Sequence, residues 1–514
     1  MIQMSTGAMP QNGKAFYKSL CERTEPFDEG TRFSVMGLGD SSYYFFCKAA
    51  KDVETLMLKL GAKCILPMGV GDDASEEGFD EGLHQWLDLV WPSLELEPPA
   101  EVPHITPVQM IFSNRAILPD EDDKKSLGQY FESIGAESVP VTDIKLLSEE
   151  GHNRDFFSFS VDIGNKLSYE LGDALEIFPS NDHIRVVDFL HEYSSDFDER
   201  TVVKLNHAFG INGEISLGCI FTNMLDLFGK PTMHFLQQLA TFENSDETRN
   251  SMLDIDTLKK MSAEKGVTFA DLLLLYKSAR PPLPALLAMI PPIKGRAYSI
   301  ASAPSVSPNS MELCILIDTY WVEEGMRYGL TCDMLRKLHP GEYIRCRVKP
   351  GSMEPPSHQQ PVVCVGIGSG LAPHMSFLRD RVHAATVLGE KVAPFSLYFG
   401  NRFEKREFLY REELEAYAAE QESWFKLHTA FSRDIVGKKV YVQDLVAITD
   451  DAFVNLFGNP GMLYVCGNRN LPGPLRESLM ESFKRGSTDS SFREDAEQAV
   501  ADLFVHGRAQ QEVW

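Results

Sequence analysis

The protein has 514 residues, of which 43% are hydrophobic, and a formal net charge of −25. At about 150 residues per domain, this length predicts roughly three folded units. The acidic balance argues against nucleic-acid binding, which needs basic patches. The sequence contains neither a run of about 18 apolar residues nor a signal-peptide pattern, so we expect a cytoplasmic protein without a membrane span. The nine cysteines lack C-x-x-C spacing, so neither a metal site nor a disulfide framework is predicted.

The first strand-like segment ends in a loop that suits a flat ligand with polar edges. Residues 33–43 read FSVMGLGDSSY, an apolar run that closes on Gly37 and Gly39 and is followed by Tyr43. From this loop to Trp91, strand and helix patterns alternate as in an α/β domain. Residues 1–95 carry 15 acidic against 8 basic residues, which indicates either a solubilising surface or a docking face for a partner.

The pattern changes after a proline-rich stretch at 94–103. Segments such as FFSFSVDIG and YELGDALEIFP alternate as β-strands do, residues 182–284 have a helical pattern, and β-type runs resume at RAYSIAS. Beyond Pro355, three apolar strands that end in glycine are each followed by a helix pattern, which predicts a doubly wound sheet. We therefore predict a multidomain α/β and β protein with the following parts: residues 1–97, a linker at 98–106, residues 107–352 with a helical insert at about 182–284, and residues 355–514.

The segment GIGSGLAP follows one of these strands and precedes a helix. Its members Gly366, Gly368, Ser369 and Gly370 would let the backbone approach a pyrophosphate at the helix N-terminus. The pattern departs from G-x-G-x-x-G because position 371 is leucine. It predicts a dinucleotide-binding loop, and a purely structural glycine turn is the alternative.

A second polar segment, AFSRDIVGKKVYVQ, follows another apparent strand. It contains Ser432, Arg433, Lys439 and Tyr441, that is, a hydroxyl, a guanidinium, an ammonium and an aromatic ring. These groups suit a terminal phosphate beside an adenine, so the segment favours NADP over NAD.

The segment GRAYSIASAP combines groups that suit a flavin. Arg296 can bind a phosphate, Tyr298 can stack on a ring, and Ser299 and Ser302 can lie near the ring edge. Alternating polar residues on an ordinary barrel strand are the competing interpretation.

Six motifs in this order resemble those of the diflavin reductases. They are RAYSIAS, RYGLTCDML, GIGSGLAP, YFGNRFEKREFLYREEL, AFSRD with KVYVQ, and YVCGN, with a tryptophan at position 514. The resemblance covers nearly the whole chain. It implies a flavodoxin-like FMN domain, a FAD-binding β-barrel with a helical connecting insert, and an NADP-binding α/β domain like that of ferredoxin-NADP reductase. It also implies electron transfer from NADPH to FAD, then to FMN, then to a haemoprotein or other redox acceptor.

The resemblance also assigns residues, motif by motif. Ser299, Cys466, Glu512 and Trp514 would flank hydride transfer. Glu512 is one methylene longer than the usual aspartate, and Cys332 replaces the usual serine or threonine of its motif. The implied cofactor-binding residues are Arg296, Tyr298, Ser299, Ser302, Gly329, Leu330, Thr331, Cys332 and Arg154 for FAD or its phosphates, Gly366, Gly368, Ser369, Gly370, Asn401, Arg402, Ser432, Arg433, Lys439, Tyr441 and Gln443 for NADPH, and Gly37, Gly39, Tyr43 and Asp72 for FMN.

The FMN-binding part is incomplete in this sequence. Family members begin with a strand and a phosphate-binding loop that have no counterpart before residue 1, and the stretch at 5–20 is about three residues shorter than the family's second loop. FMN is therefore the least supported of the three cofactors. A truncated N-terminus and a protein that has lost FMN binding both explain this pattern, and the start within a motif favours truncation.

The leading functional prediction is an NADPH-dependent flavoprotein reductase whose acidic N-terminal face docks a haemoprotein or a sulfite-reductase-like partner. One alternative is a FAD-only NADPH diaphorase similar to ferredoxin-NADP reductase. Another is a catalytically silent partner subunit, against which the joint presence of Ser299, Arg433, Cys466 and Trp514 argues.

Overall fold

A computed structural model describes most of the chain. It covers residues 9–10, 13–75, 79–96, 105–115, 120–254, 261, 266–323, 325–487 and 495–514. The loop predicted at 5–20 and the linker predicted at 98–106 lie partly outside these residues. Within the described part, no helix has the length and apolar character needed to cross a membrane.

The N-terminal unit is an α/β arrangement with short strands. Its elements are α1 (Lys14–Glu22), β1 (Arg32–Phe33), β2 (Met36–Gly39), α2 (Lys48–Lys59), β3 (Lys63–Cys64), β4 (Gly69–Asp72) and α3 (Asp80–Ser93). Strand β1 pairs in parallel with β3, and β2 pairs in parallel with β4. The second pairing aligns Gly39 with Asp72, so the loops that follow these two strands emerge side by side.

The middle unit contains two kinds of structure, a β-barrel and a largely helical insert. Its elements are β5 (Met110–Phe112), α4 (Asp120–Ser133), β6 (Glu137–Leu146), β7 (Asp155–Asp162), β8 (Ala174–Phe178), α5 (His183–Tyr193), β9 (Val202–Asn206), β10 (Asn212–Ser216), α6 (Leu217–Asn223), α7 (Met233–Ala240), α8 (Asp246–Met252), α9 (Phe269–Leu275), α10 (Leu283–Met289), β11 (Arg296–Ser299), β12 (Ser310–Ile317), β13 (Thr319–Val322), β14 (Gly325–Tyr328), α11 (Leu330–Leu335) and β15 (Tyr343–Lys349).

Six antiparallel strands form the barrel in the order β11-β8-β15-β6-β7-β12. The two outer strands meet through a bridge between Ile300 and Leu313, which closes the sheet. Val139, Phe159 and Leu175 are among the side chains that fill its interior. Closure leaves few unpaired strand edges and gives β11, which carries the predicted flavin motif, a fixed position.

The insert differs in one respect from the sequence-based prediction for 182–284, because this region also contains β9 and β10. These strands pair with each other and, through β9, with β5. In β9, Val203 and Leu205 are fully buried while Lys204 and Asn206 are exposed, the period-2 pattern of a strand. The run is too short to stand out against the surrounding helices. The helices α5 to α10 share one apolar core with this small sheet.

The C-terminal unit is a parallel sheet with helices on both faces. Its elements are β16 (Val362–Ile367), α12 (Ala372–Thr386), β17 (Phe395–Asn401), α13 (Glu404–Glu407), α14 (Arg411–Glu420), β18 (Phe425–Phe431), α15 (Val442–Ile448), α16 (Asp450–Phe453), β19 (Met462–Gly467), α17 (Pro472–Gly486), α18 (Ala496–Val505) and β20 (Ala509–Val513). The strand order is β18-β17-β16-β19-β20. Separate apolar cores on the two faces explain why the central strands are continuous hydrophobic runs.

One arginine joins the barrel to this parallel sheet. Arg379 of α12 donates to the Ala301 carbonyl (3.0 Å) and to Glu312 (2.9 Å) in the barrel. The same guanidinium makes two hydrogen bonds of 2.7 Å to Glu413 of α14. The fork of the guanidinium thus satisfies two carboxylates that belong to different units.

Candidate functional site

A cleft of about 1320 Å³ lies between the barrel and the carboxyl ends of the parallel strands. In an open parallel sheet this is the edge where ligands bind. The structure places there most of the residues that the sequence motifs single out. The predicted residues on the cleft wall are Arg154, Arg296, Tyr298, Ser299, Gly329, Leu330, Thr331, Cys332, Gly368, Ser369, Asn401, Arg402, Ser432, Arg433, Lys439, Tyr441, Gln443, Glu512 and Trp514.

The barrel side of the cleft contains both predicted flavin segments. Strand β11 pairs with β8 and carries Tyr298, whose ring packs on the barrel core. Burial raises the pKa of the Tyr298 phenol well above its usual value, so this side chain is neutral. The thiol of Cys332, beside it, contacts the Leu316 carbonyl at 3.8 Å, and burial raises its pKa too. Tyr298 and Cys332 therefore give this part of the wall an uncharged surface on which a flat ring can rest.

The glycine segment after β16 has two different roles. Gly368 has φ +57°, a conformation that favours glycine, and lies on the cleft wall with Ser369. Gly366 and Gly370 do not reach the wall. A Cβ at Gly370 would lie 2.3 Å from the Cys466 carbonyl oxygen, and one at Gly366 would lie 2.8 Å from the His374 ring. These two glycines serve the close packing of the turn against its neighbours.

Three arginines next to the ends of three different strands line the same part of the cleft. Arg154 begins the segment that leads into β7, Arg402 follows β17, and Arg433 follows β18. Burial, together with repulsion from Arg154 and Arg433, lowers the pKa of the Arg402 guanidinium. Cations that repel one another in a cleft of this size fit an anionic ligand such as a dinucleotide with an additional phosphate.

A buried carboxylate that sequence reasoning missed orients this cluster. Glu407 is fully buried and accepts hydrogen bonds from Arg154 Nη1 (3.2 Å) and the Arg402 backbone N–H (2.9 Å), and contacts His152 Nε2 at 2.7 Å. Asn401 also accepts from Arg154 Nη1, at 3.2 Å. The signal was available, because Glu407 lies within the motif YFGNRFEKREFLYREEL. Glu407 is more than 250 positions from Arg154 in the sequence, so the motif alone does not show that the two residues are paired.

The residues predicted to flank hydride transfer come from β11, β19, β20 and the residue that follows β20. Ser299 Oγ donates to Glu512 Oε2 at 3.5 Å, and burial raises the pKa of the Glu512 carboxyl. Cys466 is paired in register with Glu512 but is buried behind the cleft wall, and its burial holds the thiol pKa well above the usual value. Trp514 is half-exposed, and its backbone N–H donates to the Gly467 carbonyl at 3.0 Å.

Ser302 was also predicted to bind FAD, but it does not line the cleft. It is buried, and its hydroxyl accepts from the Glu312 backbone N–H and bonds the Tyr169 hydroxyl, each at 3.0 Å. Its carbonyl accepts from Ser376 at 2.8 Å. Ser302 therefore joins the barrel to α12, and its hydrogen-bonding groups are used within the protein.

The predicted FMN-loop residues form a separate cluster at the ends of β2 and β4. Gly37, Gly39 and Asp72 belong to these two strands, and Tyr43 follows β2. Burial acts to raise the pKa of Asp72, but hydrogen bonds from Ser41 and Ala74 outweigh it and hold that pKa below its usual value. Gly37, Gly39 and Asp72 lie together on this strand pair, whereas the Tyr43 hydroxyl reaches the backbone of Val513 in β20. None of the four lines the large cleft.

Comparison with known proteins finds three family models along the chain. A flavodoxin model matches residues 2–86, a FAD binding domain matches 135–333, and an oxidoreductase NAD-binding domain matches 364–473. Their order confirms the predicted fold class and supports FMN, FAD and NADP as the cofactor set.

Several curated proteins are similar to the whole chain or to most of it. Identity is 34% to the mitochondrial pyruvate dehydrogenase (NADP+) of Euglena gracilis, over 100% of this chain and 28% of that protein. It is 29% to the sulfite reductase (NADPH) flavoprotein component of Saccharomyces cerevisiae, over 73% of this chain and 37% of that protein. It is 27% to the NADPH-dependent diflavin oxidoreductase 1 of Mus musculus, over 99% of this chain and 89% of that protein.

The chain thus spans about a third of the length of the first two of these relatives and most of the third. In the three domain models the order is flavodoxin, FAD-binding and NAD-binding. In the structure, the flavin and dinucleotide motifs of the last two share one cleft. The chain belongs to the diflavin reductase family.

Proposed function

We propose that the protein is an NADPH-dependent flavoprotein reductase that passes electrons from NADPH through FAD and FMN to a haemoprotein or another redox acceptor. The observation that carries this proposal is the shared cleft, in which the flavin motif of the barrel faces the dinucleotide residues of the parallel sheet. Two cofactors bound side by side in one cavity can react without leaving the protein.

When bound, NADPH would supply a hydride, FAD the centre that accepts it, and FMN a one-electron outlet. The protein's part is to bind and to orient. Arg433, Lys439 and Ser432 suit a 2′-phosphate, while Tyr298 supports the flavin ring from the barrel side. Because Glu512 is buried beside Ser299, it can keep a proton there to a higher pH than an exposed carboxyl would.

Trp514 would cover the flavin ring and move aside when a nicotinamide approaches. Its half-exposed ring on the cleft wall is compatible with that movement. We also propose that the functional units have the boundaries inferred from the sequence, namely 1–97, 107–352 and 355–514. Their contents agree with the three matched models.

The proposal is tested by NADPH-dependent reduction of ferricyanide, a small acceptor that needs no docking surface. The purified chain, loaded with FAD and FMN, should reduce ferricyanide with NADPH, and the Ser299→Ala variant should do so about 10- to 100-fold more slowly. Flavins released by heat should include FAD and FMN in equal amounts. A chain that binds neither flavin, or binds them without oxidising NADPH, would refute the proposal, and FAD alone would favour the diaphorase alternative.

We further propose that the acceptor is a protein that docks on the acidic N-terminal unit. The excess of 15 acidic over 8 basic residues in positions 1–95 favours a basic partner. The cytoplasmic location inferred from the sequence stays a prediction.

A further inference from the structure

The loop after β2 rests on the last strand of the parallel sheet. The hydroxyl of Tyr43 donates to the Val513 carbonyl at 3.2 Å and accepts from the Val513 backbone N–H at 3.3 Å. The side chain of Gln511 donates to the Ser42 carbonyl at 3.3 Å. One side chain of the N-terminal unit thus satisfies both backbone groups of a residue 470 positions away.

Aromatic contacts also hold this loop against the C-terminal unit. The ring of Tyr44 stacks on Phe504 of α18, with centroids 4.5 Å apart and planes 10° from parallel. The Arg476 guanidinium lies 5.4 Å from the Tyr44 ring centroid. These contacts hold the loop against both α18 and β20, so the hydrogen bonds of Tyr43 do not depend on an isolated side chain.

Strand β20 is one of the two outer strands of its sheet, and it is hydrogen-bonded to β19 along one edge. Its other edge presents backbone groups that need partners. Tyr43 supplies them at Val513, whose neighbours Glu512 and Trp514 both line the cleft. Burial raises the pKa of Tyr43 to about 12, so its hydroxyl keeps the donated proton at neutral pH.

We propose that Tyr43 is a positioning residue for hydride transfer: by holding the backbone of Val513, it fixes Glu512 and Trp514 at the cleft. The proposal rests on the proposed function. It gives the N-terminal unit a second role besides FMN binding, since seating this loop orders the site at which NADPH would react.

The test compares Tyr43→Phe, which keeps the ring and removes the hydroxyl, with Tyr343→Phe as a matched control. Tyr343 lies on β15 and is 64% exposed. Hydrogen exchange of the 509–514 segment, measured with and without flavin, reports the backbone directly. We expect about tenfold faster exchange of the Val513 amide in Tyr43→Phe and wild-type exchange in the control.

The second readout is flavin reduction by NADPH in a stopped-flow instrument. Tyr43→Phe should lower the limiting rate about three- to tenfold while the NADPH concentration at half-maximal rate stays unchanged, because the phosphate-binding residues are not altered. Unchanged exchange, or faster exchange with an unchanged limiting rate, would overturn the positioning role. Failure of the wild-type protein itself to reduce its flavin would instead refute the proposed function, and the positioning role with it.

Discussion

At the scale of single residues, the cleft is defined by an excess of positive charge. Arg154, Arg402 and Arg433 converge there, and Glu407 accepts hydrogen bonds from the Arg154 guanidinium and from the backbone N–H of Arg402. Of the three, Arg433 is the most exposed, and it lies next to Ser432, which also lines the cleft. It is therefore the one best placed to bind a ligand phosphate.

Replacing Arg433 with alanine should raise the Michaelis constant for NADPH by roughly 10- to 150-fold, because a charged hydrogen bond contributes about 1.5 to 3 kcal/mol. NADH lacks the 2′-phosphate, so its constant should change little. Lys438→Ala is a matched control, since Lys438 is exposed but not part of the cleft wall. Equal effects on NADPH and NADH would contradict the assignment.

Glu512 gives a prediction about pH. Burial raises its pKa above the usual value of 4.5, so the folded protein holds this proton to a higher pH than the unfolded chain. The proton therefore stabilises the fold below about pH 4.5, and that contribution is lost as pH rises through the raised pKa. As pH rises from about 4.5 through the raised pKa, the unfolding free energy of wild type should fall relative to that of Glu512→Gln. Above the raised pKa, the difference between the two proteins should stay constant.

Urea denaturation of both proteins between acidic and neutral pH measures this difference. Glu422→Gln, at an exposed carboxylate, is a useful comparison variant. A difference between wild type and Glu512→Gln that does not change with pH would show that the carboxyl titrates alike in both states.

At the scale of elements, the turn after β16 depends on close backbone contact. A Cβ at Gly370 would lie 2.3 Å from the Cys466 carbonyl oxygen. That oxygen belongs to the backbone, so it cannot rotate away as a side chain could. The turn and β19 therefore fit together only when position 370 has no side chain.

The Gly370→Ala variant should lower the free energy of unfolding by about 1 to 3 kcal/mol, because the added methyl group forces the turn away from β19. Gly473→Ala is the control, since Gly473 lies in α17 with nothing within 4 Å of its added Cβ, and alanine favours a helix. Chemical denaturation compares the two, and equal stability would mean that the turn adapts without cost.

Elements were predicted well from sequence where their pattern was long. The run PVVCVGIGSG and the alternation of FFSFSVDIG correspond to β16 and β7. Strand β20 was missed because AQQEV has little apolar character and is defined by its pairing with β19. The contacts of Glu407 and Tyr43 join positions hundreds of residues apart, and no local pattern encodes such contacts.

At the scale of the whole molecule, charge controls association. With a net charge of −25, the protein should bind a basic acceptor mainly by long-range attraction. Cytochrome c, a basic haemoprotein, is a suitable probe. Its apparent association constant should fall by about tenfold or more as ionic strength rises from 0.01 to 0.15 M, since the screening length shrinks from about 30 to about 8 Å.

Ferricyanide reduction under the same conditions separates docking from catalysis: the acidic protein repels this small anion, so added salt should not slow its reduction. An association constant for cytochrome c that does not change with salt would remove the acidic face as the docking site.

The bridge made by Arg379 has a consequence for redesign of the cleft. Its guanidinium bonds Glu312 of the barrel and Glu413 of the parallel-sheet unit at the same time. The two units that form the walls of the cleft are therefore connected by the hydrogen bonds of one side chain. Room for a bulkier nicotinamide analogue must therefore come from smaller wall side chains, such as a substitution at Trp514, and not from moving the walls apart. The gap between the walls is a property of the scaffold.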